Sequence, residues 1–472
     1  MHTLDNRATL SENGGQFNLR EERFMAKLWA KGYELDGVVE EFTTGEDYRL
    51  DMALVKWDCI GSVAHASMLN TIGILTDDEY ASLRKRLGEI IELHAKGEYI
   101  IRKEDEDVHT AIEGDLTQAL GDVGKKLHTA RSRNDQVVLD LRLYMRDKLA
   151  ETVEAACAMA DTLADFADKH KDVPVVGRTH FQRAMPSSVG LWAGAFAESL
   201  LDDIGLLRAA YIVADQCPLG SAASYGIGLN INRRHVSEKL GFAKVQNNVL
   251  YANNSRGKVE AIVLSALVQI VNDLSKMAGD VILWSMPEFG YFKLPAEFCP
   301  GSSLMPQKRN PGPFELTRSR AAVVAANLFN VLETVRPLIS GYHRDFQDTK
   351  KPFMNGVETT LATLRVNTLT LAKVEVDAAR CVEAFSPDVF ATDRVLKLAA
   401  EGMPFRDAYR EVAKTLDSTP MEDPVENIRA KTHLGATGNL GLDLARERIA
   451  AERAWAKTAR AKWEEPIARL MA

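Results

Sequence analysis

The segment Gly301-Ser302-Ser303-Leu304-Met305-Pro306-Gln307-Lys308-Arg309-Asn310-Pro311 concentrates reactive side chains in eleven positions. Two hydroxyls, a lysine, an arginine and an asparagine stand among small residues and prolines. Such a stretch reads as a mobile, anion-binding loop. Gly301 lends flexibility, the serine backbone N–H groups can converge on an oxygen, and Lys308 and Asn310 can bind a carboxylate. A helix beginning near Pro313 points its positive end at this region. The plain alternative is an ordinary Ser/Pro/Gly connection.

Two further segments carry similar residue types. His128–Gln136 reads HTARSRNDQ. Arg131 and Arg133 offer forked donors for a carboxylate and Asn134 an amide. Asn134 or Asp135 could equally be a helix N-cap. Gly177-Arg178-Thr179-His180-Phe181-Gln182 sets His180 in polar company ahead of a predicted helix, and His109 stands in Glu106-Asp107-Val108-His109. An isolated histidine is more often structural than catalytic, and only its company changes that. HExxH, DxDxDG and clustered Cys/His patterns are absent, so no metal centre is expected. GxSxG, Walker and GxGxxG patterns are also absent, which argues against a serine hydrolase or a nucleotide enzyme.

The elements that must position these residues are helical. Lys125–Val173 contains neither Gly nor Pro, and Val137, Leu141, Tyr144, Met145 and Leu149 recur at helical spacing, which predicts one very long amphipathic helix. Lys258–Ala278 is apolar nearly all round, so it belongs in the middle of a bundle or at a subunit interface. Phe314–Arg336 is bounded by Pro313 and Pro337 and predicts a third helix. Gly356–Ser386 contains a fourth and Ser187–Gln216 a fifth. Strand signals are weak, with only the short VPVVG run from Val173. The chain is expected to be mainly α, built around a central bundle of long helices. Its expected divisions are 1–125, an N-terminal helical domain with a polar arm, 126–386, the long-helix bundle, and 387–472, a C-terminal helical domain.

Composition sets the outer limits. The 472 residues are 46% hydrophobic and 26% charged, which excludes disorder as the main state. With 58 Lys plus Arg against 66 Asp plus Glu, the net charge is −8, a poor basis for nucleic-acid binding. No apolar stretch approaches the roughly 18–20 residues of a membrane span, and the N-terminus lacks a secretory apolar core. The five cysteines, Cys59, Cys157, Cys217, Cys299 and Cys381, form no CxxC pair and read as reduced, buried thiols of a cytoplasmic protein.

Together the segments carry a resemblance. GSSLMPQKRNP resembles the signature loop of the fumarase/aspartase superfamily, whose members eliminate fumarate from succinyl-containing substrates. HTARSRNDQ, EDVHTAIE and THFQ resemble the argininosuccinate lyase branch. GYHRDFQDTKKP, residues 341–352, is similar to the stretch that holds substrate there, and EGMPFRDAYREV to part of its third domain. The likeness runs from about Phe42 to about Leu440.

The resemblance implies a three-domain fold, a homotetramer with a twenty-helix core, and active sites each built from three subunits. It implies β-elimination of argininosuccinate to arginine and fumarate, without a cofactor. Ser302, directly after the glycine, would be the base, acting as an alkoxide. Lys308 and Asn310 would hold the reacting carboxylate. His180 would lie near the leaving nitrogen and pair with Glu315. Asn134 and Thr179 would contact substrate, with His109 and Arg133 beside them. Tyr342, Gln347 and Lys350 match the substrate-holding positions, and Asp51 matches a contact to the amino-acid end. The other readings are a lyase acting on another N-substituted aspartate and a silent, crystallin-like structural relative.

This chain departs from the family pattern at four places. Ala130 replaces a glycine, Arg178 a tyrosine and Gly312 an aspartate. Thr43–Asp47 is two residues longer than expected and lacks a serine that the family uses at the amino-acid end.

Overall fold

A computed structural model describes residues 36–416 and 420–472. The predicted polar arm lies outside the described residues. By contact the chain falls into residues 1–43 and residues 44–472. In the first unit, Asp36 caps the short helix Gly37–Thr44: its carboxylate accepts the N–H groups of Val38 (2.9 Å) and Val39 (3.3 Å).

Five long helices form the frame of the second unit: Arg133–Lys169, Val189–Ala214, Lys258–Ser285, Gly312–Val335 and Lys350–Leu371. The longest runs 37 residues, inside the Gly- and Pro-free stretch that predicts it. Ser132 caps it, accepting from the N–H of Asn134, while the N–H of Ser132 donates to Asp135. The cap is therefore Ser132, and neither Asn134 nor Asp135 fills that place. The Lys350 helix starts earlier than Gly356 and carries Pro352 in its first turn, where a missing N–H costs nothing.

The Lys258 helix packs on the Gly312, Val189 and Lys350 helices, and the Arg133 helix packs on the Val189 and Lys350 helices. A C-terminal helix, Leu442–Met471, lies along the Arg133 and Val189 helices. One large apolar core runs through them all. Two small satellites, around Phe390 and around Val412, sit nearer the C-terminus.

Two expectations change here. The Lys258–Ser285 helix is long and apolar enough, by length and composition, to cross a membrane. Neighbouring helices cover 61% of its most apolar window. Its Asp280 accepts from Trp192 Nε1 (2.9 Å) and its Asp273 accepts from Ser199 Oγ, both on the Val189 helix. Those polar residues break up the apolar run in the sequence. The second change is a clear antiparallel hairpin, Pro174–Thr179 paired with Gln182–Ser188, where the sequence shows only a short strand signal.

Candidate active site

The structure gathers the candidate residues into three groups. The first is the signature loop. Gly301 and Arg309 pair as an antiparallel bridge, and Asn310 N–H donates to Pro300 O (3.3 Å), so the loop closes on itself. Inside it, Ser302 Oγ accepts the backbone N–H groups of Leu304 (3.3 Å) and Met305 (3.0 Å). Two fixed donors on one hydroxyl oxygen stabilise negative charge there. The Gly312–Val335 helix begins directly after the loop. A Cβ on Gly312 would lie 3.0 Å from the Pro300 ring, a tight contact.

A cavity of about 460 Å³ opens beside this loop, lined by Lys293, Cys299, Lys308, Arg309, Asn310 and Glu315 among others. Lys293 is paired with Asp377 (2.8 Å). Among the described residues, Lys308 and Arg309 have no ion-pair partner, so the cavity carries cations available to a carboxylate ligand.

The second group is the hairpin tip. Thr179 ends its first strand, and His180 and Phe181 form the two-residue turn with φ of 52° and 61°. Positive φ at both central positions is the type I′ geometry that usually calls for Asn-Gly. His180 and Thr179 are exposed, and Phe181 is 87% exposed. Arg178 steadies the tip, donating to Phe181 O (3.4 Å) with its guanidinium over the Phe289 ring (5.4 Å). Among the described residues, no hydrogen bond or ion pair joins His180 to Glu315 or to the signature loop within one chain.

The third group lies where the N-terminal part of the second unit meets the starts of two long helices. Lys350 Nζ is 2.6 Å from Asp51 Oδ1 and 3.1 Å from Asp47 Oδ2, and it is buried. Asp51 Oδ2 also accepts the Val108 N–H (3.2 Å). Next along that helix, His109 is buried with Nδ1 2.6 Å from Asp58 Oδ2. Asp107, the N-cap of the Val108–Leu120 helix, accepts from Arg133 (2.9 Å). Tyr342 packs against Phe346, with ring centroids 6.0 Å apart. Gln347 Nε2 donates to Thr44 O (3.1 Å). Asn134, in the first turn of the longest helix, is partly exposed.

Asp58, His109 and Asp140 present ligand-type atoms within 4.8 Å of one another. Two ligands on one tetrahedral zinc sit about 3.3 Å apart. The 2.6 Å Nδ1–Oδ2 separation is instead that of a hydrogen bond. The Arg131 charge acts on both carboxylates. Burial, then the charge of Asp58, pushes the Asp140 carboxyl well up. His109 and Asp58 form a buried hydrogen-bonded pair, with Asp140 Oδ2 3.8 Å from the same nitrogen.

Several contributors were not singled out from sequence. Asp47 lies in the Thr43–Asp47 segment, Asp58 sits one turn along a buried helix, and the Leu304 and Met305 N–H groups carry no side-chain signal at all. Only the length of the Thr43–Asp47 segment marked a place to look.

Comparison with known proteins places this architecture. A family profile described as lyase matches residues 32–326. Argininosuccinate lyase of Thermotoga neapolitana is 42% identical over 82% of this chain and 98% of its own length. That of Sorangium cellulosum is 44% identical over 88% and 97%. The chain belongs to the argininosuccinate lyase family. Solved structures agree on the family's fold. EDDS lyase with bound fumarate superposes with a TM-score of 0.77 at 23% identity, covering 91% of this chain and 94% of that one. Class II fumarase from Schistosoma mansoni gives 0.69 at 16% identity over 84% and 95%.

Proposed function

We propose that the chain cleaves L-argininosuccinate to L-arginine and fumarate by β-elimination across a C–N bond. The observation that carries this reading is the closed signature loop, with two backbone N–H groups aimed at Ser302 Oγ beside a cationic cavity. The identity to argininosuccinate lyases over nearly their whole length supports the substrate.

Ser302 removes the proton from the carbon next to a carboxylate. That proton is weakly acidic, so the dianionic carboxylate that forms needs electrostatic stabilisation. Lys308 and Asn310 supply it from the cavity wall. The Leu304 and Met305 donors lower the cost of charge on Ser302 Oγ. The bond from carbon to nitrogen then breaks, the nitrogen takes a proton, and fumarate and arginine leave. His180 attends the leaving nitrogen and would pair with Glu315 in the assembled site. Asp51, His109, Arg133, Asn134, Thr179, Tyr342, Gln347 and Lys350 shape the substrate site.

Among the described residues no hydrogen bond or ion pair joins the hairpin tip to Glu315 or the signature loop, and the proposed working form is a homotetramer in which each site draws on several subunits. The reading also carries a cytoplasmic location, no cofactor and the domain divisions 1–125, 126–386 and 387–472. The deciding experiment mixes the purified protein with L-argininosuccinate, follows fumarate by ultraviolet absorbance and confirms arginine by mass. Steady turnover supports the reading. Folded protein that gives none overturns it in favour of another N-substituted aspartate.

A further inference from the structure

We propose that Asp47 is an internal competitor for Lys350: its carboxylate occupies the ammonium group until a substrate carboxylate displaces it, and so it sets affinity at the amino-acid end of the site. The inference rests on the reading of Lys350 as a substrate-holding residue.

Lys350 is enclosed, with its side chain 3% exposed. An ammonium group has three donors, and two of them point at carboxylates, Asp51 at 2.6 Å and Asp47 at 3.1 Å. These two partners differ. The Asp51 side chain is 1% exposed, and its second oxygen is fastened to the Val108 N–H at a helix start. Removing it would strand a buried backbone donor. The Asp47 side chain is 17% exposed, and Lys350 is its one ion-pair partner among the described residues. It stands on a single helical turn, Asp47–Leu50, just past Gly45 with φ +58°. Asp47 is therefore the partner that can leave.

Charge points the same way. Two carboxylates already share one ammonium, with the buried guanidinium of Arg256 nearby. A third carboxylate arriving from substrate would meet repulsion from both, and the exchange is favourable only if one withdraws. Burial and the neighbouring Asp51 charge work against the ionised form of Asp47, with Lys350 opposing them, and on balance its carboxyl is raised above the ordinary range. The same segment covers a second holding position, because Thr44 O accepts from Gln347. Thr44 and Asp47, from the segment expected to depart from the family pattern, thus contact the two residues they would regulate.

The test compares wild type with Asp47→Asn and Asp47→Glu. Asn keeps the shape and removes the charge, and the Asp51–Lys350 pair remains to hold the fold. In Asp47→Asn, KM for argininosuccinate should fall roughly three- to tenfold with kcat within about twofold. Asp47→Glu should stay near wild type. A raised KM would make Asp47 a substrate contact, and an unchanged KM would leave it without influence. Either result overturns the inference. A second readout does not need turnover: acetylation of Lys350 by acetic anhydride, followed by mass spectrometry, should be severalfold faster in Asp47→Asn. Wild type without turnover on argininosuccinate would sink the proposed function alone. Equal Lys350 labelling in wild type and Asp47→Asn would sink this inference alone.

Discussion

His109 Nδ1 lies 2.6 Å from Asp58 Oδ2, with both side chains buried and Asp140 Oδ2 3.8 Å from the same nitrogen. Burial disfavours a charged imidazole, but the hydrogen bond and charge of Asp58 outweigh it. His109 is thus raised above its ordinary value of about 6.5. The same pairing, working against burial, holds the Asp58 carboxyl below its ordinary range.

The sign of the pH effect follows. The folded protein binds the His109 proton more tightly than the unfolded chain does. Its contribution is full below about pH 6.5 and is lost as pH rises through the raised folded value. The Asp58 contribution is full above its ordinary value and is lost as pH falls through the lowered one. His109→Gln should therefore cost about 3–5 kcal/mol near pH 6, by urea denaturation, and less in alkaline solution. A cost that stays constant across that range would mean His109 is not charged.

Ser302→Ala should leave the fold intact and lower kcat by about 10²–10⁴-fold. Circular dichroism and the fumarate assay read the two quantities separately. Near-wild-type kcat from the folded variant would move proton abstraction to another residue.

His180→Asn and Ser302→Ala should each be inactive, yet a co-refolded mixture should recover activity. If one site draws these two residues from different subunits, random assembly at equal amounts leaves both intact in about one quarter of sites. Recovery toward that ceiling supports the shared site. No recovery from mixed oligomers would place both residues in one chain's site.

Ala130 has φ +67°, a conformation that costs a residue with a Cβ roughly 1–2 kcal/mol. Its neighbours hold it there: Thr129 O bonds His65 Nε2 (2.8 Å) and Arg131 donates to Ser62 Oγ (2.8 Å). Ala130→Gly should raise stability by about 0.5–1 kcal/mol in denaturant titration, after the flexibility glycine adds to the unfolded chain. A loss of stability would mean that the methyl group packs usefully.

The long helices were legible because their signals are local. A Gly- and Pro-free run, an apolar stripe and flanking prolines mark the Arg133, Lys258 and Gly312 helices in the sequence itself. The hairpin was not legible. Its turn is His180-Phe181, with neither Gly nor Asn to announce positive φ, and the surrounding structure imposes the geometry. The start of the Lys350 helix was hidden by Pro352, which reads as a breaker yet is harmless in a first turn.

Residue types and local spacing determined the helical frame, the signature loop and the list of groups able to do chemistry. Tertiary structure alone decided their company. Lys350 meets Asp51 across 299 positions, and His109 meets Asp58 across 51. Among the described residues it also left His180 without a hydrogen bond or ion pair to the signature loop. A periodic pattern reports the environment of a few neighbouring residues. Burial, charge pairing and the proton a buried group keeps depend on which helices pack together, and packing is a property of the whole fold.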